Sequence, residues 1–85
     1  MGKRYGIRFH YANEYTFDYQ VGDETAAEQL AGWFASAIAD KATSVALTTT
    51  NMPVSAVIGL DDCVRIERIE TVGTTEIVEV IWEKS

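Results

Sequence analysis

His10, Cys63 and the acid pair Asp61-Asp62 are the side chains of this 85-residue chain best suited to chemistry. An imidazole acting as general base needs a nucleophile and an orienting carboxylate within hydrogen-bond reach. His10 is the only histidine, and alternation sets it beside Arg8 on the polar side of a first strand. Asp18 is the nearest carboxylate in the expected pairing, but it is matched to Arg8. His10 therefore reads as a solvated strand histidine. Cys63 follows two carboxylates, which raise a thiol pKa and disfavour the reactive thiolate. It reads as a small buried hydrophobe. Asp61, Asp62 and Cys63 have no second ligand cluster, and the acid pair lacks the remaining spacing of a calcium loop. The expectation is a protein with no catalytic residues, no metal and no cofactor, and thus not an enzyme.

Two further groups of side chains suggest binding. Tyr5, Phe9, Tyr11, Tyr15, Phe17 and Tyr19 could stack bases, as the exposed aromatics of some sheet modules do. They also form the only apolar side of their hairpin, and a helix needs something to cover. Lys3, Arg4, Arg8 and His10 are few against a net charge of −6, which argues against broad phosphate-backbone binding. These aromatics read as core, with single-stranded nucleic-acid binding kept as an alternative function. Glu67, Glu70, Glu76, Glu79 and Glu83 make an acidic edge interleaved with Arg65 and Arg68. Such an edge discourages aggregation; the sharper reading is a surface that docks on a basic partner or mimics DNA.

Composition sets the frame. The chain is 47% hydrophobic and 24% charged, ordinary for a folded domain, and its length predicts one domain over residues 1–85. A single cysteine cannot form an internal disulfide, which points to a reducing, cytoplasmic setting. No leader pattern and no apolar run of about 18 residues is present, so no membrane partner is expected.

The elements that must position these groups are organised around Asp23–Lys41. On a wheel of about 100° per residue, Ala26, Ala27, Trp33, Phe34, Ala37 and Ile38 fall within about 80° of Leu30. Thr25 and Glu28 form a capping box, with Asp23 as a competing cap. No Gly or Asn closes the helix, so fraying is expected over Lys41–Thr43. The far side carries Glu28, Gly32, Ala35, Ser36 and Ala39, which is either a groove for a partner helix or a solvated face of good helix formers.

Everything else reads as strand. Directly opposed residues share a face, so Tyr11, Phe9 and Ile7 must meet Tyr15, Phe17 and Tyr19. That parity demands a three-residue loop, Ala12-Asn13-Glu14, with Asn13 or its neighbour left-handed. Strands follow over Ser44–Thr50, Ser55–Leu60, Arg65–Thr71 and Thr75–Glu83, with Asn51-Met52-Pro53 as one turn and Asp61-Asp62 as another. In the last hairpin a two-residue loop pairs Ile69 with Val78, Ile66 with Ile81 and Arg68 with Glu79. A three-residue loop pairs Ile69 with Ile77 but sets Glu67 against Glu79, so the first is preferred. The expected fold is α+β, one helix on a mostly antiparallel sheet in the order β-β-α-β-β-β(β), with curling towards a partial barrel as one outcome. Its opening resembles a β-grasp layout in order of elements only.

Ile77, Val78, Val80, Ile81 and Trp82 place apolar groups on both sides of the closing strand, a pattern of strands buried on both faces. One helix covers one face of one sheet. Curling, stacked hairpins or a second subunit could cover the rest. The functional expectation is a small non-enzymatic protein-interaction module that self-associates as a homodimer, or binds another protein, through Ile77, Glu79, Ile81 and Trp82. A small-ligand domain with a pocket near Trp33 is the remaining alternative.

Overall fold

The computed structural model describes residues 3–47 and 56–84. Seven elements follow in order: β1 Arg4–Tyr11, β2 Thr16–Val21, α1 Glu24–Ala39, β3 Ser44–Leu47, β4 Ala56–Gly59, β5 Cys63–Val72 and β6 Thr74–Glu83. This is the expected α+β order. All strand pairs are antiparallel, and they make a four-stranded sheet, β2-β1-β5-β6, with a separate two-stranded sheet, β3-β4. The main sheet stays open and does not close into a barrel. The likeness to a β-grasp layout ends at element order, because β3 leaves the main sheet. The expected turn Asn51-Met52-Pro53 lies outside the described residues.

The first hairpin forms as parity demands. Phe9 pairs with Phe17, Ile7 with Tyr19 and Arg8 with Asp18. Tyr11 N donates to Tyr15 O at 2.9 Å, closing a three-residue loop. Glu14 takes the left-handed conformation (φ 68), and Asn13 Oδ1 accepts from Tyr15 N at 3.1 Å. Gly6 has a local reason: a Cβ there would meet Tyr19 O at 2.9 Å, and Ile69 already lies against that spot at 3.5 Å.

The helix differs from expectation at its start. Asp23, in extended backbone (φ −153), is the cap, and its Oδ1 accepts from Ala26 N at 2.7 Å. Thr25 lies inside the first turn, so the capping box of Thr25 and Glu28 gives way to Asp23. At the other end the helix does not fray but closes. Lys41 is left-handed (φ 60), Lys41 N donates to Ile38 O at 3.0 Å and Ala42 N to Ala37 O at 2.9 Å. That pair of bonds is the Schellman closure, built here on a lysine instead of glycine.

The buried stripe is turned about 60° from the expected centre. Ala27, Ala31 and Phe34 are buried, while Trp33 is 62% exposed. The cause is steric. Phe34 packs edge-on against Phe9, centroids 4.8 Å apart and planes at 75°. The small Ala27 and Ala31 bring the helix close to the sheet, and Trp33 is left on its flank. Ile7, Phe9, Phe34 and Ile66 are fully buried and join Ile58, Leu60 and Cys63 in one core. Burial of each large member is worth roughly 1.5–3 kcal/mol.

The last hairpin runs through both candidate registers and then a third. Beside Gly73 (φ 76), Thr71 pairs with Thr75, Glu70 with Glu76 and Ile69 with Ile77. The ladder then slips past Val78, so Arg68 meets Glu79 and Glu67 meets Val80, and slips again past Ile81, so Ile66 meets Trp82. The expected pairs Ile69–Val78 and Ile66–Ile81 are thereby replaced. Bulges insert one residue and reset the register beyond it, which restores the favourable Arg68–Glu79 match.

Candidate functional site

Cross-strand pairing sorts the main sheet into two sides. Ile7, Phe9 and Ile66 belong to the side covered by α1, with the β3-β4 hairpin adding Val45 and Ile58. The other side carries Arg8, His10, Asp18, Arg65, Glu67 and Ile69, because Arg8 pairs with Asp18 and Glu67, and His10 pairs with Arg65.

A charged network runs across this open side. Arg8 donates to Asp18 through Nε (2.7 Å) and Nη2 (2.9 Å). Glu67 is 1% exposed. Its Oε1 lies 2.6 Å from His10 Nε2, and its Oε2 accepts from Arg65 Nε at 2.7 Å. Arg65 also pairs with Glu83. Burial pushes the Glu67 carboxyl up, but hydrogen bonds from His10 and Arg65 outweigh it and hold the group below its ordinary value. An ionised Glu67 only accepts, so His10 Nε2 carries a proton. His10 thus has an orienting carboxylate after all, in Glu67 and not Asp18. Among the described residues no hydroxyl or thiol hydrogen-bonds its ring. In this arrangement His10 is a hydrogen-bond partner that helps to satisfy a buried carboxylate.

Cys63 is 3% exposed, and burial pushes its thiol up. The direction matches expectation, although the leading cause is burial and not the preceding acids. Asp61 and Asp62 are exposed in the turn before it. Among the described residues no group of three His, Cys, Asp or Glu could hold a metal ion.

The expected interaction residues all lie on β6, an edge strand of the main sheet. Ile77 is 52% exposed and pairs with Ile69 of the open side. Glu79 bonds Arg68 Nε at 3.5 Å. Ile81, at the second bulge, and Trp82, opposite Ile66, are half-buried against the core. The four residues therefore share a strand but not a face. The exposed apolar run is Ile77, Val78 (41%) and Val80 (47%), and the bulge that reorganises it was not visible in the periodicity.

Among the described residues two hollows flank the core. One of about 410 Å³ lies between α1 and β6, with Gly32, Ala35, Arg68, Glu79 and Ile81 among its walls. It coincides with the small-residue side of the helix, and Arg68 Nη1 is buried there without a partner among the described residues. A larger one of about 700 Å³ opens at the loop end of β1-β2, walled by Tyr11, Tyr15, Phe17 and Asp62. Trp33, expected beside a pocket, lines neither.

No family model, no curated protein and no solved structure matches the chain. Among the described residues no helix is long and apolar enough to cross a membrane.

Proposed function

We propose that this protein is a small non-enzymatic interaction module that self-associates through β6, adding a second copy's β6 antiparallel to its own. One observation carries the reading: a ten-residue strand stands at the sheet edge with Ile77, Val78 and Val80 exposed. Long edge strands with apolar side chains are templates for pairing, and proline, short length, charges and bulges restrain that pairing. β6 contains no proline. Its bulges and its glutamates limit open-ended stacking and favour a closed two-fold pair. The buried, unpaired thiol of Cys63 suits a reducing cytoplasmic setting. Nucleic-acid binding has less support, because Phe9 and Phe17 are turned towards the helix side with Ile7.

Sedimentation equilibrium at micromolar concentration tests the reading. The expected result is twice the chain mass for the wild type and the single-chain mass for Ile77→Lys/Val80→Lys. Both positions are about half exposed, so the double variant keeps its fold. A wild-type protein that stays a monomer throughout overturns the proposal.

A further inference from the structure

We infer that the 700 Å³ hollow at the loop end of β1-β2 binds a small quaternary ammonium molecule. This is independent of self-association through β6, which lies at the opposite edge region of the sheet order.

Three aromatic residues, Tyr11, Tyr15 and Phe17, line the hollow together with the acidic Asp62 and with Val57, Ile58 and Gly59 of β4. The three-residue loop sets Tyr11 and Tyr15 side by side, centroids 5.9 Å apart and planes tilted by 38°. Phe17 follows two residues on, held by its stack on Phe9 at 6.2 Å. The Tyr11 hydroxyl donates to Gly59 O at 3.0 Å, so that ring is anchored at its polar end. Tyr15 remains 58% exposed, an aromatic kept at the surface beside the half-buried Tyr11 and Phe17. Asp62 joins no ion pair among the described residues, and its backbone carbonyl is fixed by Ala12 N at 2.9 Å.

Charge complementarity selects the guest. Aromatic faces carry negative potential and attract cations, and Asp62 adds a full charge. The chain's net charge of −6 adds in the same direction. A lysine-type ammonium is compact and strongly hydrated. A quaternary ammonium sheds water more easily and lays its methyl groups on the rings, the recognition that aromatic cages use. A neutral apolar guest would leave the Asp62 charge unused. The volume is that of a small-molecule site.

The test compares choline with 3,3-dimethylbutan-1-ol, which has the same shape without the charge. Titration is followed by aromatic proton shifts. Choline should give saturable shifts at Tyr15 and bind about tenfold tighter than the alcohol. Tyr15→Ala and Asp62→Asn, both at exposed positions, should each weaken choline by about fivefold or more. Equal binding of the two probes, or no saturable shift with choline, overturns the inference. So does binding of a trimethyl-lysine peptide by a protein that ignores choline.

Discussion

Glu67 is the residue whose position is hardest to reconcile with its charge. Its carboxylate is almost dry, in the strand between β1 and β6, and an isolated buried charge is costly. Two partners offset this, His10 at 2.6 Å and Arg65 at 2.7 Å. Both remain about one third exposed, so they return to water if the acid is removed. Glu67→Gln should therefore cost a moderate ~1–2 kcal/mol at neutral pH. The folded carboxyl titrates below its ordinary value of 4.5. Its contribution is thus present above that value and is lost as pH falls through the lower, folded one. Asp18 is held down mainly by its hydrogen bond from Arg8, so it adds stability of the same sign and persists in the variant. Urea unfolding between neutral pH and the acid range should show a shallower acid loss for Glu67→Gln. An unchanged pH slope would mean the network does not stabilise the fold. This cluster was not legible in the chain. His10 and Glu67 are 57 residues apart, and parity fixes partners only within a hairpin, not which distant strand lies beside it.

Elements were legible in proportion to how local their rules are. The β1-β2 hairpin could be read to the residue, because its two alternating aromatic sets tolerate one loop length, and Phe9 does face Phe17. The β5-β6 hairpin was half legible: the Arg68–Glu79 match holds, but reaching it takes a slip at Val78 that no period-2 pattern announces. The helix is legible in the periodicity but its rotation is not, because Ala31 takes the core place that the wheel gives to Trp33. Its C-terminus is not legible either, because the usual closing residues are Gly and Asn and here Lys41 takes that place. A left-handed lysine is strained where glycine is not. Lys41→Gly should therefore stabilise the protein by about 1 kcal/mol, less what glycine loses in unfolded-chain entropy. Thermal unfolding of the pair measures it. A lower midpoint in the variant would show that the lysine at this helix end supplies more than its backbone costs.

At the scale of the whole molecule, α1 and the β3-β4 hairpin shelter one side of the main sheet. The other side is closed over Glu67 and Ile69 but left open at Ile77 and Val80. Pairing two β6 edges extends the sheet without moving either helix, and it covers that apolar run at the junction. The opposing term is electrostatic. Each copy carries −6, and like-charged molecules repel across water. Salt screens this repulsion, with a Debye length of about 30 Å at 0.01 M and about 8 Å at 0.15 M. Apolar and backbone contacts at the edge are little affected by the same change. Self-association should therefore tighten as salt is raised over this range, the reverse of a complex built on opposite charges. Because a dimer is stabilised by mass action, the thermal midpoint should also rise with protein concentration. In Ile77→Lys/Val80→Lys the midpoint should be independent of concentration at every salt level. Association that weakens with salt would instead place the contact on the charged network of Arg8, Arg65 and Glu83, and would remove β6 as the seam.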